Sequence, residues 1–411
     1  MTDPRCIYLD NNATTQPDAA VVEAMTQTNL SVWGNPSSVH RLGQLARQRV
    51  ELARQSVATL IGAKPRHLVF TSGGTEANNL ALRGLLGGTG ERGLLLTTGV
   101  EHAAVREPAE ALAAEGVAVR FLSTDGHGQL HPDALGEALR EAGASAEVVL
   151  VSVQWANNET GLIQPVAALA DVVRAGRAQA SDPRRRVLLH VDATQAVGKI
   201  PVDFAEVGAD LLTLAGHKFH GPKGVGALCV KAGVRPRTMV RGGPQERGLR
   251  GGTENTPGII GLGVAAELAR AFVHDTDRIA VLRRLRDRLE RGLLDACPDA
   301  RVNAPDDDDH TRLWNTTNIG FPGLEAEAIL LGLSERGVCA SAGAACSSGS
   351  LEPSAVLRAM GVPEAYAHGS IRFSLSRFTT ADDIDAALPH VVEVVKRLRR
   401  TLPMGNATLA R

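Results

Sequence analysis

The chain lacks the means for a disulfide framework. It has five cysteines in 411 residues, an odd number, at Cys6, Cys229, Cys297, Cys339 and Cys346. Scattered thiols in a long chain fit a reducing compartment, so free cysteines and a cytoplasmic setting are expected. An excess of charge is also lacking: 44 Lys and Arg stand against 45 Asp and Glu, a formal net charge of −1. That balance supplies no footprint for nucleic acid or for an anionic membrane. The opening MTDPRCIYLDNNATT has no basic stretch and no apolar one, and no signal peptide is read there. No apolar run is expected to reach membrane-spanning length. The Gly-rich turn at Gly73-Gly74 has no Lys-Ser/Thr after it, which excludes a P-loop, and dinucleotide-fingerprint spacing is missing. Cys339 and Cys346 match no zinc spacing, and no metal is expected.

What is present is ordinary soluble-protein composition, 44% apolar and 22% charged, in a chain long enough for two domains. From His67 onward the pattern is strand then helix, repeatedly. HLVFTSGGTEANNLALRGLLGG and RGLLLTTGVEHAAVREPAEALAAEG are two such units. AEVVLVSVQWANNETG, RRVLLHVDATQ and ADLLTLAGHK supply further strands, apolar on both faces. Such alternation predicts a mainly parallel sheet covered on both sides. Upstream, PDAAVVEAM reads as a helix opened by Pro17, and QLARQRVELARQSVATLIG as one ending at Gly62. After GGTENTPG the texture becomes helical and charged, and the Asp306–Asp309 run reads as a solvated loop. RLWNTTNIGFPG and GSIRFSLSRF read as strands before a final amphipathic helix. The expected division is an N-terminal arm, 1–15, joining the C-terminal unit; a large domain, 16–256; and a small domain, 257–411.

The chemistry gathers around LLTLAGHKFHGPKGVG. Here an apolar strand stops at Gly216 and delivers His217 and Lys218 on a Gly- and Pro-rich turn. A lysine amine becomes a nucleophile when burial or a neighbouring cation lowers its pKa. One strand earlier, RVLLHVDATQ ends at Asp192. Carboxylate and amine therefore fall at the same edge of one parallel sheet, where ligands of open α/β sheets bind. A Schiff-base lysine with an Asp against a pyridinium nitrogen is the signature of pyridoxal phosphate, PLP. At Gly74 and Thr75 a strand opens into a helix, offering free N–H groups and a hydroxyl to an anion. His102, Asn158 and Gln195 follow other strands at the same edge, as candidates for stacking on a ring and for donating to oxygens. Cys346 lies in ASAGAACSSGSLEPS, a segment of small residues expected to be mobile. A cysteine there fits a nucleophile better than a core thiol. Arg372 in SIRFSLSRF is the candidate carboxylate clamp, with Arg377 competing.

Together these motifs resemble the class V group of PLP enzymes, and within it the cysteine desulfurases of the iron–sulfur and nitrogen-fixation type. The resemblance runs from YLDNNATT through GNPSS, FTSGGTEANN, EH, NNETG, VDATQAVGK, GHKFHGPKGVG, GGTEN and AACSSGSLEPS to SIRFSLSRFTT. It implies PLP fold type I: a large α/β domain on a mainly parallel seven-stranded sheet, plus a smaller α+β C-terminal domain. It also implies roles. Lys218 would hold PLP, Asp192 would pair with its ring nitrogen, His102 would stack on the ring and Gln195 would face its 3-oxygen. Gly74, Thr75 and His217 would bind phosphate, with Thr253 reaching it from the other subunit of a homodimer. Asn158 and Arg372 would hold the carboxylate of L-cysteine. Cys346 would take the sulfur as a persulfide, leaving alanine, and pass it to an iron–sulfur scaffold or another acceptor protein. Two departures stand out: Ala215 replaces the family's usual phosphate-binding serine, and AGAAC, ending at Cys346, has alanines where the family usually has serines. Thr213, on the same strand face, is the nearby candidate to compensate for Ala215. The competing readings are a selenocysteine lyase or aminotransferase of the same class, or a non-catalytic sulfur acceptor on this fold.

Overall fold

The computed structural model describes residues 6–88, 92–143, 146–179, 185–305, 311–342 and 353–401. The chain begins with β1 (Ile7–Tyr8), then β2 (Leu68–Thr71), β3 (Gly93–Thr98), β4 (Ala118–Leu122), β5 (Val148–Gln154), β6 (Arg186–Asp192), β7 (Leu211–Ala215) and β8 (Gly226–Val230). Strands β2 to β8 form one seven-stranded sheet in the order β2-β8-β7-β6-β5-β3-β4. β4, β3, β5, β6 and β7 pair in parallel, while β8 runs antiparallel between β7 and β2. The reason is in the sequence: β5, β7 and β8 are buried at every residue, so both faces must be covered. Helices Gly74–Leu86 and Ala103–Ala114 contribute to the apolar core on one face, and Pro132–Ala142 and Val166–Ala178 to the core on the other. Because the parallel strands share one direction, their C-terminal ends make a single edge, and the loops carrying His102, Asn158, Asp192 and Lys218 all emerge there.

The C-terminal third adds β9 (Arg301–Val302), β10 (Thr316–Gly320), β11 (Val338–Cys339) and β12 (Ser370–Ser374). β12, β10 and β9 form an antiparallel sheet in that order. Helices Thr276–Ala296, Ala326–Ser334 and Ala381–Thr401 pack with it around Leu282, Leu289, Phe321, Ile371, Phe373 and Val391, a core separate from that of the large sheet. β1 pairs in parallel with β11, and Asp10 bridges to Ser374, so the N-terminal arm is stitched to this unit before it crosses to the large sheet.

Three local readings need correction. The expected division at Thr256 falls at the start of helix Thr256–Val273, whose Ile259, Leu262, Ala265, Ala266 and Ala269 are buried in the large-sheet core. Packing therefore passes to the second core one helix later, because small residues let this helix press close against the helices Ala19–Ser31 and Arg41–Leu60. The same helix is 18 residues long and apolar enough to cross a membrane by length and composition, contrary to expectation, and 61% of it is buried inside the protein. The first helix starts at Ala19, capped by Asp18 accepting from the Ala20 N–H at 3.0 Å, so Pro17 precedes the cap.

One buried ion pair fixes the loop that carries Thr253. Arg54, on helix Arg41–Leu60, donates to both carboxylate oxygens of Glu246 at 2.9 and 2.8 Å and to the Leu68 carbonyl at 3.1 Å. Glu246 also accepts the Phe70 N–H at 2.9 Å, and the Arg54 guanidinium lies over the Phe70 ring at 4.5 Å. Both side chains are buried, so removing one partner leaves an uncompensated charge. Glu246→Ala is expected to cost about 3–5 kcal/mol in urea unfolding. A midpoint within error of the wild type would show that the pair contributes nothing.

Candidate active site

The sheet edge opens into a cavity of about 510 Å³. Gly74, Thr75, His102, Asn158, Asp192, Gln195, His217, Lys218 and Arg372 all line it, so the fold gathers these expected residues in one place. Thr253 is exposed and does not line the cavity of its own chain. Cys346 lies within 343–352, outside the described residues, as do Ala344, Ala345 and the Asp306–Asp309 run.

Lys218 sits at the end of the short helical turn Gly216–Lys218 that follows β7. Its Nζ donates to the carbonyls of Asn12 and Ala13 at 2.7 and 2.8 Å. Asp192 ends β6 and is buried; its carboxylate accepts from Asn78 Nδ2 at 2.8 Å and from the Thr194 N–H at 3.0 Å. His102 caps helix Ala103–Ala114, its Nδ1 accepting the Ala104 N–H at 3.0 Å. The neutral ring therefore carries its proton on Nε2. Burial lowers the His102 pKa against the attraction of Asp192, with Lys218 among the cations that assist. His217, hydrogen-bonded through Nδ1 to Thr14 Oγ1 at 3.2 Å, is lowered from 6.5 to about 4 by burial and then by Lys218. Glu101 is pushed up to about 8 by burial, its carboxyl accepting from Thr98 Oγ1 at 2.7 Å.

Arg372 reaches the cavity from β12 across the two units. It pairs with Asp10 at 2.7 Å and donates to the Asn158 carbonyl at 3.0 Å. Arg377 instead pairs with Asp18, lies against Phe378 and faces a separate small cavity. Of the two candidate clamps, Arg372 is the one at the site. Both flanks of the Cys346 segment are fixed here too. The Ser341 and Arg372 backbones exchange hydrogen bonds at 2.7 and 3.2 Å, and Ser354 Oγ donates to Glu159 Oε2 at 2.6 Å.

Thr213 does not compensate for Ala215. It is fully buried, with its Oγ1 hydrogen-bonded to His190 Nε2 at 3.1 Å, away from the cavity. The hydroxyl beside Ala215 is that of Thr194, whose Oγ1 would lie 3.1 Å from a Cβ placed on Gly74. Thr194 Oγ1, Asn78 Oδ1, Asn158 Oδ1 and Glu101 Oε2 are buried in the cavity wall without a partner among the described residues. Orphaned polar atoms of this kind call for a polar ligand. With an amine, a carboxylate, an imidazole and the uncapped N-terminus of helix Gly74–Leu86, the donor set fits PLP.

The residue missed by sequence reading is Asn12. It donates through Nδ2 to the Asn158 carbonyl and to Thr316 Oγ1 at 3.0 and 2.9 Å, and accepts from Asn315 Nδ2 at 3.0 Å. Its carbonyl accepts from Gln195 Nε2 at 2.9 Å as well as from Lys218. The signal available was its place in DNNATT, polar and far from the strands it serves.

Comparison with known proteins is consistent with this geometry. The family described as aminotransferase class-V matches residues 7–387. A cysteine desulfurase of Trichormus azollae is 49% identical over 400 residues, 97% of this chain and 95% of the relative. A solved NifS-like protein superposes with a TM-score of 0.85 at 34% identity, covering 95% of this chain and 100% of its own. A structure described as SspA in complex with cysteine superposes with a TM-score of 0.75 at 31% identity, covering 91% and 99%.

His220 offers a pH test of how the turn after Lys218 is held. Its N–H donates to Thr15 Oγ1 at 2.7 Å, its Nδ1 bonds the Gln16 carbonyl at 2.8 Å, and its ring meets Phe378 edge-on at 4.6 Å. Burial lowers its pKa from 6.5 to about 4. Between those values the unfolded chain binds the proton and the folded one does not, so this contribution to stability is lost as pH falls from about 6.5 to about 4. His220→Gln is expected to show a shallower stability–pH slope than the wild type in that window, measured by urea unfolding. Parallel slopes would refute it.

Proposed function

The chain belongs to the class V aminotransferase family and is a cysteine desulfurase dependent on PLP; from that premise we propose that Cys346 takes the sulfur of L-cysteine as a persulfide and hands it to an iron–sulfur scaffold or another sulfur-acceptor protein. The observation that carries the proposal is the convergence of Lys218, Asp192, His102, Asn158 and Arg372 on one cavity, with both flanks of the Cys346 segment attached beside it.

PLP supplies an electron sink that makes the substrate's Cα proton acidic and its Cβ–S bond labile. The residues of the chain do the rest. Asp192, fixed by Asn78 and the Thr194 N–H, stays in place to pair with a protonated ring nitrogen. Gly74, Thr75 and His217 would receive the phosphate, and Lys218 would hold the cofactor until substrate displaces it. Once released, the Lys218 amine, which the Asn12 and Ala13 carbonyls hold at the cavity, would serve as the base for the Cα proton. Arg372 presents a guanidinium to the substrate carboxylate, and its pairing with Asp10 keeps it there. The Cys346 thiolate would attack the substrate sulfur; an S–S bond forms as the Cβ–S bond breaks, the electron pair goes to Cβ, and protonation at Cβ together with return of a proton to Cα gives alanine.

A homodimer is part of the proposal. Leu30, Trp33 and Val39 are large apolar side chains 70%, 69% and 88% exposed on and just after the first helix, and an unpartnered apolar surface of this kind favours a second copy. Thr253, exposed and outside its own cavity, is free to reach a neighbour's phosphate site.

Mass spectrometry after incubation with L-cysteine tests the nucleophile. A sulfur adduct on the Cys346 peptide, with alanine in solution, is expected. Cys346→Ala should keep the cofactor's visible absorbance and lose sulfide release; wild-type turnover in that variant would sink the persulfide assignment. Lys218→Ala should lose the absorbance band of the lysine-bound cofactor, and an unchanged spectrum would remove Lys218 from its role.

A further inference from the structure

Lys199 is buried, and it lies outside the wall of the main cavity. It shares with Lys218 and Trp314 a separate cavity of about 20 Å³. Its amine donates to Gln195 Oε1, which among the described residues is its one side-chain hydrogen bond. The charged or titratable groups around it are Lys218, Arg372, His217, His220 and Arg377, and among the described residues no carboxylate forms an ion pair with it. A buried lysine without an acid is costly, and burial followed by Lys218 and Arg372 lowers its pKa well below the ordinary value.

What that cost secures is the orientation of an amide. Gln195 Nε2 donates to the Asn12 carbonyl at 2.9 Å, an oxygen that can only accept. Its Oε1 faces an amine, which has hydrogens to give. The Asn12 carbonyl assigns the Nε2 end of the Gln195 amide and the Lys199 amine supplies a donor to the Oε1 end, leaving the second Nε2 hydrogen for the cavity that Gln195 lines.

We propose that Lys199 is a positioning residue that locks Gln195 with its N–H, and not its C=O, toward the ring oxygen of the cofactor. This rests on the reading that PLP occupies the main cavity on Lys218 and Asp192. A donor to that oxygen stabilises its anionic form, and so eases loss of the proton shared between the oxygen and the nitrogen of the Lys218 linkage. Without Lys199 the Gln195 Oε1 loses its donor, and the amide is held only through its bond to the Asn12 carbonyl.

The test is a pH titration of the visible absorbance of the holoenzyme. Lys199→Met, similar in length and without a donor, should raise the midpoint by about one pH unit, the scale of one hydrogen bond to a charged acceptor. Gln195→Leu should raise it similarly, and the double variant should shift no further than Gln195→Leu alone. An unchanged midpoint in Lys199→Met overturns the proposal. So does a Lys199→Met shift that adds in full to that of Gln195→Leu, since Lys199 would then act by direct charge. If Lys199→Met does not fold, Lys199→Arg decides: a donor is kept, so the wild-type midpoint is expected and a raised one counts against positioning. If Gln195→Leu itself leaves the midpoint in place, the cofactor reading of Gln195 fails, separately from the role of Lys199.

Discussion

The structure depends on a single asparagine that has almost no hydrogen-bonding capacity to spare. Asn12 sends its side-chain N–H groups to the Asn158 carbonyl and Thr316, takes one from Asn315, and offers its carbonyl to both Gln195 and Lys218. Its own N–H goes to Ser374 Oγ at 2.9 Å. Thr316 and Ser374 belong to the sheet of the second core, while Lys218 and Gln195 belong to the edge of the large sheet. A fully buried polar network holds when every member is satisfied and is expensive when one is not. The Lys218 amine, the Gln195 amide and, through the Asn158 carbonyl, the Arg372 guanidinium are all tied to this residue.

The second constraint is electrostatic. A formal charge of −1 over 411 residues hides a cationic bias in the pocket, where Lys218, Arg106, Arg358 and Arg372 outnumber Asp192 and Glu107 while burial raises the pKa values of Glu101 and Glu159. Burial and these cations hold His102 and His217 below the ordinary imidazole pKa. A pocket of this sign suits ligands that bring their own negative charge.

Much of the fold was legible because its causes are local. Strands apolar on both faces can only be interior strands, and glycine turns following them can only be the loops of one sheet edge. The motif residues from Gly74 to Lys218 were legible for the same reason, each being tied to the end of a strand. Other features were not local. Arg372 and Arg377 look alike in SIRFSLSRF, and only their partners, Asp10 for one and Asp18 for the other, separate them. Thr213 shares a strand face with Ala215 but is drawn to His190 on the neighbouring strand, leaving the place beside Gly74 to Thr194. The helix after GGTENTPG carries an apolar face whose partner is set by packing, which assigns it to the large-sheet core.

The sequence by itself determined the mainly parallel sheet, the lysine and carboxylate at its edge and the glycine-opened helix start beside them, because these follow from period, spacing and residue type within short stretches; the family chemistry was legible only through the resemblance its motifs carry. Tertiary structure alone decided which arginine faces the cavity and how the N-terminal arm closes it. Those are contacts between residues hundreds of positions apart, and a chain carries no local mark of the partner that will satisfy a polar group once water is gone.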